Sequence, residues 1–407
     1  MAKTILFIRG ILLTVTAVFL AALIYGFYAV PDEIISVREK PANVSFVYTL
    51  TYEESKLREK IQSQEKGDTY DVNVSFLKIL PVKNSSLTVS ERDYVAISGE
   101  LFGLRLFTEG IIIVGIDEVK TAKGNISPAR KAGLQKGDII ISIDNVKVKS
   151  CNEVSEIIEK SSGRVMKLEC SRKGKTFETD FRTAYSETEG KYKAGIWIRD
   201  SAAGIGTMTF FDPQRKTFAA LGHGVCDVDT GEILPVFEGD IVKADVNGCY
   251  KGQKGKAGEL CGVFSSESKG VLYLNSKCGV YGELFSLPET DTLYPVAFND
   301  EVKKGKAQIV STVDEKGPQL YDIEITKISE ENSEDKNLVI KITDDDLLSK
   351  TGGIVQGMSG SPVIQDGKLV GAVTHVFIND PTQGYAIFSR TMLQKMRSAD
   401  ESIKKAS

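Results

Sequence analysis

Residues 352–373 read GGIVQGMSGSPVIQDGKLVGAV. Two apolar runs, Val363-Ile364 and Leu369 to Val373, flank a turn at Asp366-Gly367, the pattern of a β-hairpin. The hairpin is entered through Gly357-Met358-Ser359-Gly360-Ser361-Pro362. Glycines on either side of Ser359 let the chain turn tightly and expose its hydroxyl. Successive N–H groups of such a turn, here those of Gly357 and Ser359, can converge on one point. A tetrahedral oxyanion needs that arrangement, and each such donor is worth roughly 3–4 kcal/mol. An ordinary Gly/Ser turn has the same composition, so the chemistry depends on what stands near it.

A serine hydroxyl is barely ionised at neutral pH and needs a base within hydrogen-bond reach. The chain has two histidines, His223 and His375, which excludes any His-rich metal site and leaves two candidates. His223 ends the apolar run Phe218 to Leu221 and is flanked by Gly222 and Gly224, which leave room for the ring to enter a cleft. His375 follows Gly371 to Thr374, where a chymotrypsin-like barrel places the strand that binds substrate backbone; His223 is therefore the expected base. The carboxylate that orients it is sought in Ile342-Thr343-Asp344-Asp345-Asp346. Asp344 follows the apolar run Leu338 to Ile340 and is the expected inward one, with Asp345 and Asp346 beside it. The order His223, Asp344, Ser359 is that of chymotrypsin. Around these residues short β-like runs alternate with glycine turns, as in Gly195 to Ile198, Gly204 to Phe210 and Gly270 to Leu274. The expectation for residues 186–407 is a β-barrel domain of the chymotrypsin type.

Upstream, residues 127–148 read SPARKAGLQKGDIIISIDNVKV. Pro128 suits the first turn of a short helix with Ser127 as cap, and Gly133 suits its left-handed stop. Asn152 can cap a helix whose Val154, Ile157 and Ile158 share a face. Val165 to Cys170 and Thr176 to Phe181 form a hairpin around Arg172-Lys173-Gly174-Lys175. The string resembles a PDZ domain of the bacterial-protease type, over residues 98–185. That resemblance implies a carboxylate-binding loop near Gly103-Leu104-Arg105-Leu106. An extended peptide would add to the adjacent strand, beside the helix carrying Val154 and Ile158.

At the N-terminus, Gly10 to Val30 is an uncharged apolar run, with Lys3 and Arg9 before it and Asp32 and Glu33 after it. As a helix it would be roughly 31 Å long, matching a hydrocarbon core of about 30 Å. It is too long for the apolar core of a signal peptide and lacks a clean small-residue cleavage site. Residues 1–30 are thus expected to be a cytoplasmic tip and transmembrane anchor, with the rest extracytoplasmic by the positive-inside rule. Residues 31–97 are expected to be a stalk or linker with some strand, including Val72 to Leu80 and the charged stretch Glu53 to Lys66.

The 407 residues are 42% hydrophobic and 26% charged, which excludes wholesale disorder. A net charge of −4 without a basic tract disfavours a nucleic-acid partner. The six cysteines form no CxxC pair, so they are read as small apolar residues and no metal or cofactor is expected. Two rivals are weak. Cys226 lies three residues after His223, a spacing that puts the two side chains on opposite faces of a strand. Asp227 to Glu232 begins like a calcium loop but is too short a match to carry a site.

Residues 220–232 (ALGHGVCDVDTGE) and 351–388 (TGGIVQGMSGSPVIQDGKLVGAVTHVFINDPTQGYAIF) together closely resemble the SpoIVB peptidase family of spore-forming bacteria. The resemblance implies a membrane segment, a PDZ domain and a serine endopeptidase domain, with Ser359 as nucleophile, His223 as base and Asp344 as acid. It further implies self-cleavage and a signalling role in sporulation, between the two membranes around the forespore. There the substrate would be a membrane-bound regulator of an intramembrane metalloprotease that processes pro-sigma-K. The other reading is a membrane-tethered PDZ adaptor with an inactive peptidase domain; a complete set of triad residue types in order argues against it.

Overall fold

The structure is a computed structural model and describes residues 2–29, 33–37, 48–51, 69–76, 80–90, 92–290, 292–329 and 335–406. The chain divides into two units, Met1–Asp93 and Tyr94–Ser407. In the first, Ala2–Ala29 is one helix. Among the described residues no helix is long and apolar enough to cross a membrane, so the spanning role expected of Gly10 to Val30 rests on its sequence. A four-stranded sheet runs in the order Glu33–Val37, Leu80–Ser90, Thr69–Phe76, Tyr48–Thr51. Val72 and Val74 alternate with polar neighbours and are buried, as the period of two requires. The stretch Glu53 to Lys66 lies outside the described residues.

The second unit is built chiefly on one large sheet and a separate closed barrel. β1 (Leu101–Ile116), β2 (Ile139–Ile143), β3 (Val165–Arg172), β4 (Lys175–Arg182), β5 (Ile196–Asp212), β6 (Thr217–Ala220), β7 (Val236–Tyr250), β8 (Gly258–Ser276) and β9 (Gly279–Leu284) belong to one large sheet. Within it the order β1-β7-β8-β9-β6-β5 closes on itself, because β5 also pairs with β1. A second barrel follows: β10 (Gly305–Ser311), β11 (Gln319–Ile328), β12 (Leu338–Ile342), β13 (Pro362–Gln365), β14 (Lys368–Phe377) and β15 (Asp380–Phe388), in the closed order β10-β11-β12-β15-β14-β13. Barrel closure leaves no sheet edge exposed, which is why these strands read as short apolar runs between glycine turns.

The PDZ elements β2, β3 and β4 continue outward from β1 in that order. β1 reads LFGLRLFTEGIIIVGI, apolar at almost every position because it is buried on both faces along most of its length. Phe102, Leu104 and Leu106 pack in the first barrel with Phe218 and Leu272. Ile111 and Ile113 pack instead with Ile140, Val154 and Phe181. Gly110 sits between the halves at φ 83°, where a Cβ would lie 2.6 Å from the Ile140 carbonyl oxygen. The β3–β4 turn has Lys173 and Gly174 at φ 50° and 76°, a two-residue hairpin turn as the sequence indicated. The PDZ helix is Cys151–Lys160, and its cap is Ser150, whose hydroxyl accepts the Glu153 N–H, rather than Asn152.

Candidate active site

The two barrels meet at Ser359. Thr207, fully buried in β5, donates its N–H to the Ser359 carbonyl at 2.9 Å. Its hydroxyl donates to the Gly357 carbonyl at 2.8 Å. One threonine of the first barrel thus fixes both ends of the turn. The Gly360 N–H donates to Val373 O at 2.7 Å, and the Ser361 N–H to Met358 O at 3.0 Å. Because a trans peptide sets N–H opposite C=O, tying the Met358 carbonyl to Ser361 turns the Ser359 N–H the other way. Gly360 has φ 97°, and a Cβ there would lie 1.9 Å from the Thr207 carbonyl oxygen, so no other residue fits. Ser361 is buried, with its hydroxyl 2.9 Å from that of Ser311. Ser359 is half-buried, and its hydroxyl donates to Thr374 O at 2.7 Å.

His223 arrives beside Thr374 through a strained corner. Leu221 and Gly222 both have positive φ, 67° and 70°, and for a leucine that costs on the order of 1–2 kcal/mol. Burial of the Leu221 side chain in the first barrel's core holds it there. A Cβ on Gly222 would lie 2.9 Å from Thr374 Cγ2, so the turn packs directly on the strand that accepts the Ser359 hydroxyl. His223 Nδ1 lies 2.9 Å from Gly224 O. A carbonyl only accepts, so Nδ1 carries the hydrogen and the Nε2 lone pair is free to act as base. Burial pushes the His223 pKa below 6.5, partly offset by the Gly224 carbonyl and by Asp335. The His375 ring stands 4.7 Å from that of His223, centre to centre. Its pKa is driven down to about 4, first by burial and then by repulsion from His223.

Asp344 is placed elsewhere. It is the N-cap of the helix Asp345–Thr351: one carboxylate oxygen accepts the Leu347 N–H at 2.9 Å and the other the Asp322 N–H at 3.2 Å. The expected contact with His223 is therefore corrected. The three adjacent aspartates start a helix, with Asp345 and Asp346 exposed in its first turn, where the helix dipole favours them. Gly352 closes that helix in the left-handed region and leads straight into the serine turn. The carboxylate that acts on both histidines is Asp335, 3.8 Å from His375 Nδ1. Nothing in its sequence context marked it, nor did Thr207 stand out as a buried threonine in a strand. The Asp344 placement has a testable consequence. Asparagine caps as well as aspartate but cannot also accept the Asp322 N–H, so Asp344→Asn should lose no more than about 1 kcal/mol of stability and keep the peptidase rate near that of the parent. Asp344→Ala should cost about 1 kcal/mol of stability and loosen the serine turn. A loss of about 10⁴ in rate for Asp344→Asn would instead show that it orients the histidine during turnover.

The expected carboxylate-binding loop is also corrected. Gly103 to Leu106 lie inside β1, paired with Ala202 to Ile205 on one side and with Gly239 to Val242 on the other. Both backbone edges are used, so no peptide can add there, and Arg105 is ion-paired with Asp240. Val154 and Ile158 do lie on the buried face of their helix. All six cysteines are free thiols. Burial raises the pKa of Cys226, the reverse of what a nucleophile needs. In the segment that begins like a calcium loop, the Asp227 carboxylate accepts the N–H groups of Asp229 and Thr230 and pairs with Arg199. The guanidinium fills the place a cation would take, and among the described residues no group of acidic, histidine or cysteine side chains could hold a metal ion.

Two family models match parts of the chain. A PDZ domain model matches residues 126–172. Among solved structures, the PDZ domain of the SdrC-like protein from Listeria monocytogenes is 24% identical, with a TM-score of 0.19, over 22% of this chain and 87% of that one. The Rv3671c protease from M. tuberculosis in its active form is 13% identical, with a TM-score of 0.28, over 48% and 74%. The HtrA-type protease AlgW with decapeptide is 12% identical, with a TM-score of 0.31, over 51% and 54%. At these scores they say nothing of activity. The model of the SpoIVB peptidase S55 family matches residues 190–393, half of the chain and the whole stretch from β5 to the helix after β15. A peptidase domain matched over half of the chain, joined to a PDZ domain, places this chain in the SpoIVB peptidase S55 family.

Proposed function

We propose that this peptidase is a membrane-anchored, self-cleaving endopeptidase that signals during sporulation. Its target would be a membrane-bound regulator of an intramembrane metalloprotease, whose release leads to pro-sigma-K processing. The observation that carries the chemistry is the convergence of the Ser359 turn and the His223 corner on Thr374. In turnover the Ser359 hydroxyl swings from Thr374 O to His223 Nε2, which takes its proton as the oxygen attacks a substrate carbonyl. The N–H groups of Gly357 and Ser359 hold the oxyanion. His223 returns the proton to the leaving amine, and water then releases the acyl group. The Gly224 carbonyl keeps His223 in the working tautomer, and Asp335 supplies negative charge as the imidazolium forms.

Support for the anchor lies in Ala2–Ala29, where Leu12, Leu13, Val18, Leu20 and Ile24 are exposed on all sides of the helix. Such a helix is suited to lipid rather than water. The bulk of the chain would then lie outside the cytoplasm, between the forespore and mother-cell membranes. We take residues 1–30 as anchor, 31–97 as stalk, 98–185 as PDZ domain and 186–407 as peptidase domain, with the first half of β1 lent to the peptidase. The test is mass spectrometry of the full-length chain after incubation in detergent. Cuts between the anchor and residue 97 are expected; a chain that stays intact at high concentration would overturn self-cleavage.

A further inference from the structure

The carbonyl that orients His223 belongs to a peptide group that is held from its other side. His223 Nδ1 donates to Gly224 O at 2.9 Å. The N–H of that same peptide group is the one of Val225, and it donates to Asn275 Oδ1 at 2.8 Å. A trans peptide is planar and sets N–H opposite C=O, so fixing the Val225 N–H also fixes where the Gly224 carbonyl points. A peptide that donates on one side and accepts on the other strengthens both bonds. The remainder of the Asn275 amide is used too, since Nδ2 donates to Val225 O at 2.8 Å and to Leu234 O at 2.9 Å. Two carbonyls take both of its N–H bonds and one N–H takes its oxygen, so only this orientation of the amide fits.

Asn275 is the next-to-last residue of β8, opposite Val280 of β9 and 50 residues from Val225. The histidine corner lies flat on that hairpin. A Cβ on Gly224 would come within 2.9 Å of Ser276 O, and one on Gly279 within 2.6 Å of Ala220 O. Further out the same loop is held independently, by Arg199 on the buried Asp227 and on Asp229. With Asp344 capping a helix, the group on His223 Nδ1 is an uncharged carbonyl, and its direction decides which ring nitrogen keeps the hydrogen. We propose that Asn275 is the positioning residue of His223: through the Gly224–Val225 peptide it keeps the hydrogen on Nδ1 and the lone pair on Nε2. The inference rests on His223 being the base of Ser359. Without Asn275 the peptide can rotate and Nδ1 loses its acceptor. The ring then populates the tautomer with hydrogen on Nε2, which cannot take the Ser359 proton.

The first readout needs no activity. The full-length chain carrying Ser359→Ala, which cannot cut itself, is labelled with nitrogen-15 histidine, and His375→Ala tells the two rings apart. In neutral solution the nitrogen shifts of His223 should show a single tautomer with hydrogen on Nδ1, and adding Asn275→Ala should give a mixture. Asp229→Asn, which cuts an exposed ion pair in the same loop, should leave it single. The second readout is the rate at which a fluorophosphonate probe labels Ser359 in the chain that keeps its serine, followed against pH. Ser359 Oγ displaces fluoride from phosphorus while His223 takes the proton, so no peptide specificity enters. Asn275→Ala should slow labelling at least about tenfold, as expected for a hydrogen bond to a group that becomes charged. The midpoint of its acid limb should move further down, because the Gly224 carbonyl raises the His223 pKa. His375 and Asp335, the other titratable groups acting on that ring, are unchanged. If Asn275→Ala fails to fold, Asn275→Ser trades the amide for one hydroxyl and should shift both readouts in the same direction by less. A parent with hydrogen on Nε2, an unchanged tautomer and rate in the Asn275 variants, or an equal change in Asp229→Asn would each overturn the role of Asn275. A parent that the probe does not label would instead reject Ser359 and His223 as a pair, while the tautomers still decide on Asn275.

Discussion

Replacing Ser359 by alanine is expected to lower peptide hydrolysis by on the order of 10⁶, about 8 kcal/mol of transition-state stabilisation. Ser361→Ala, two residues on, should retain most of the activity. The two hydroxyls differ in what they touch. Ser361 is buried with its hydroxyl on that of Ser311, and its loss removes one internal hydrogen bond. That costs about 1 kcal/mol of stability and no chemistry. Ser359 is half-buried and donates to a carbonyl from which it can turn towards His223. The measurement is self-cleavage of the purified full-length chain, followed by gel and mass spectrometry. Equal processing in Ser359→Ala and the parent would reject the nucleophile; loss in Ser361→Ala with retention in Ser359→Ala would move it.

The second large effect concerns the two histidines. His223→Ala should be as inactive as Ser359→Ala, because nucleophile and base act as a unit. His375→Ala should keep activity. The environment also gives the pH dependence its sign. A base must be neutral to take a proton, and His223 is held below 6.5 by burial. The acid limb of kcat/KM should therefore have its midpoint below 6.5, so that activity persists into mildly acid solution. His375 is lowered from 6.5 to about 4. The unfolded chain then binds more protons than the folded one in that window, so the fold loses stability as pH falls from 6.5 towards 4. Thermal melting across that range should show the loss, and His375→Ala should show less of it. An inactive His375→Ala beside an active His223→Ala would exchange their roles.

Much of the site was legible as local chemistry. Ser359 between glycines, His223 after a glycine, and the Lys173-Gly174 turn announce themselves through residues that few other conformations need. The Asp344 reading went the other way, because an aspartate after an apolar run serves equally as an orienting acid or as a helix cap. Its neighbours Leu347 and Gly352 favour the cap, and that alternative was the one realised. Gly103 to Leu106 misled for a similar reason: a Gly-Leu-x-Leu string fits a loop as well as a strand buried on both faces.

By itself the sequence determined the family, the serine turn and the glycine-flanked histidine as candidate residues, the existence of β-rich domains and an apolar N-terminal segment. These depend on residue types at short spacing, where side-chain volume, φ preference and hydroxyl or imidazole chemistry act over a few residues. Tertiary structure alone decided that β1 serves two domains, that Thr207 holds a turn 150 residues away, and that Ile196 to Arg199 pair with Ile112 to Ile116. Pairing between strands distant in the chain is chosen by which buried edges remain to be satisfied once everything else has packed. No period along the sequence records that choice.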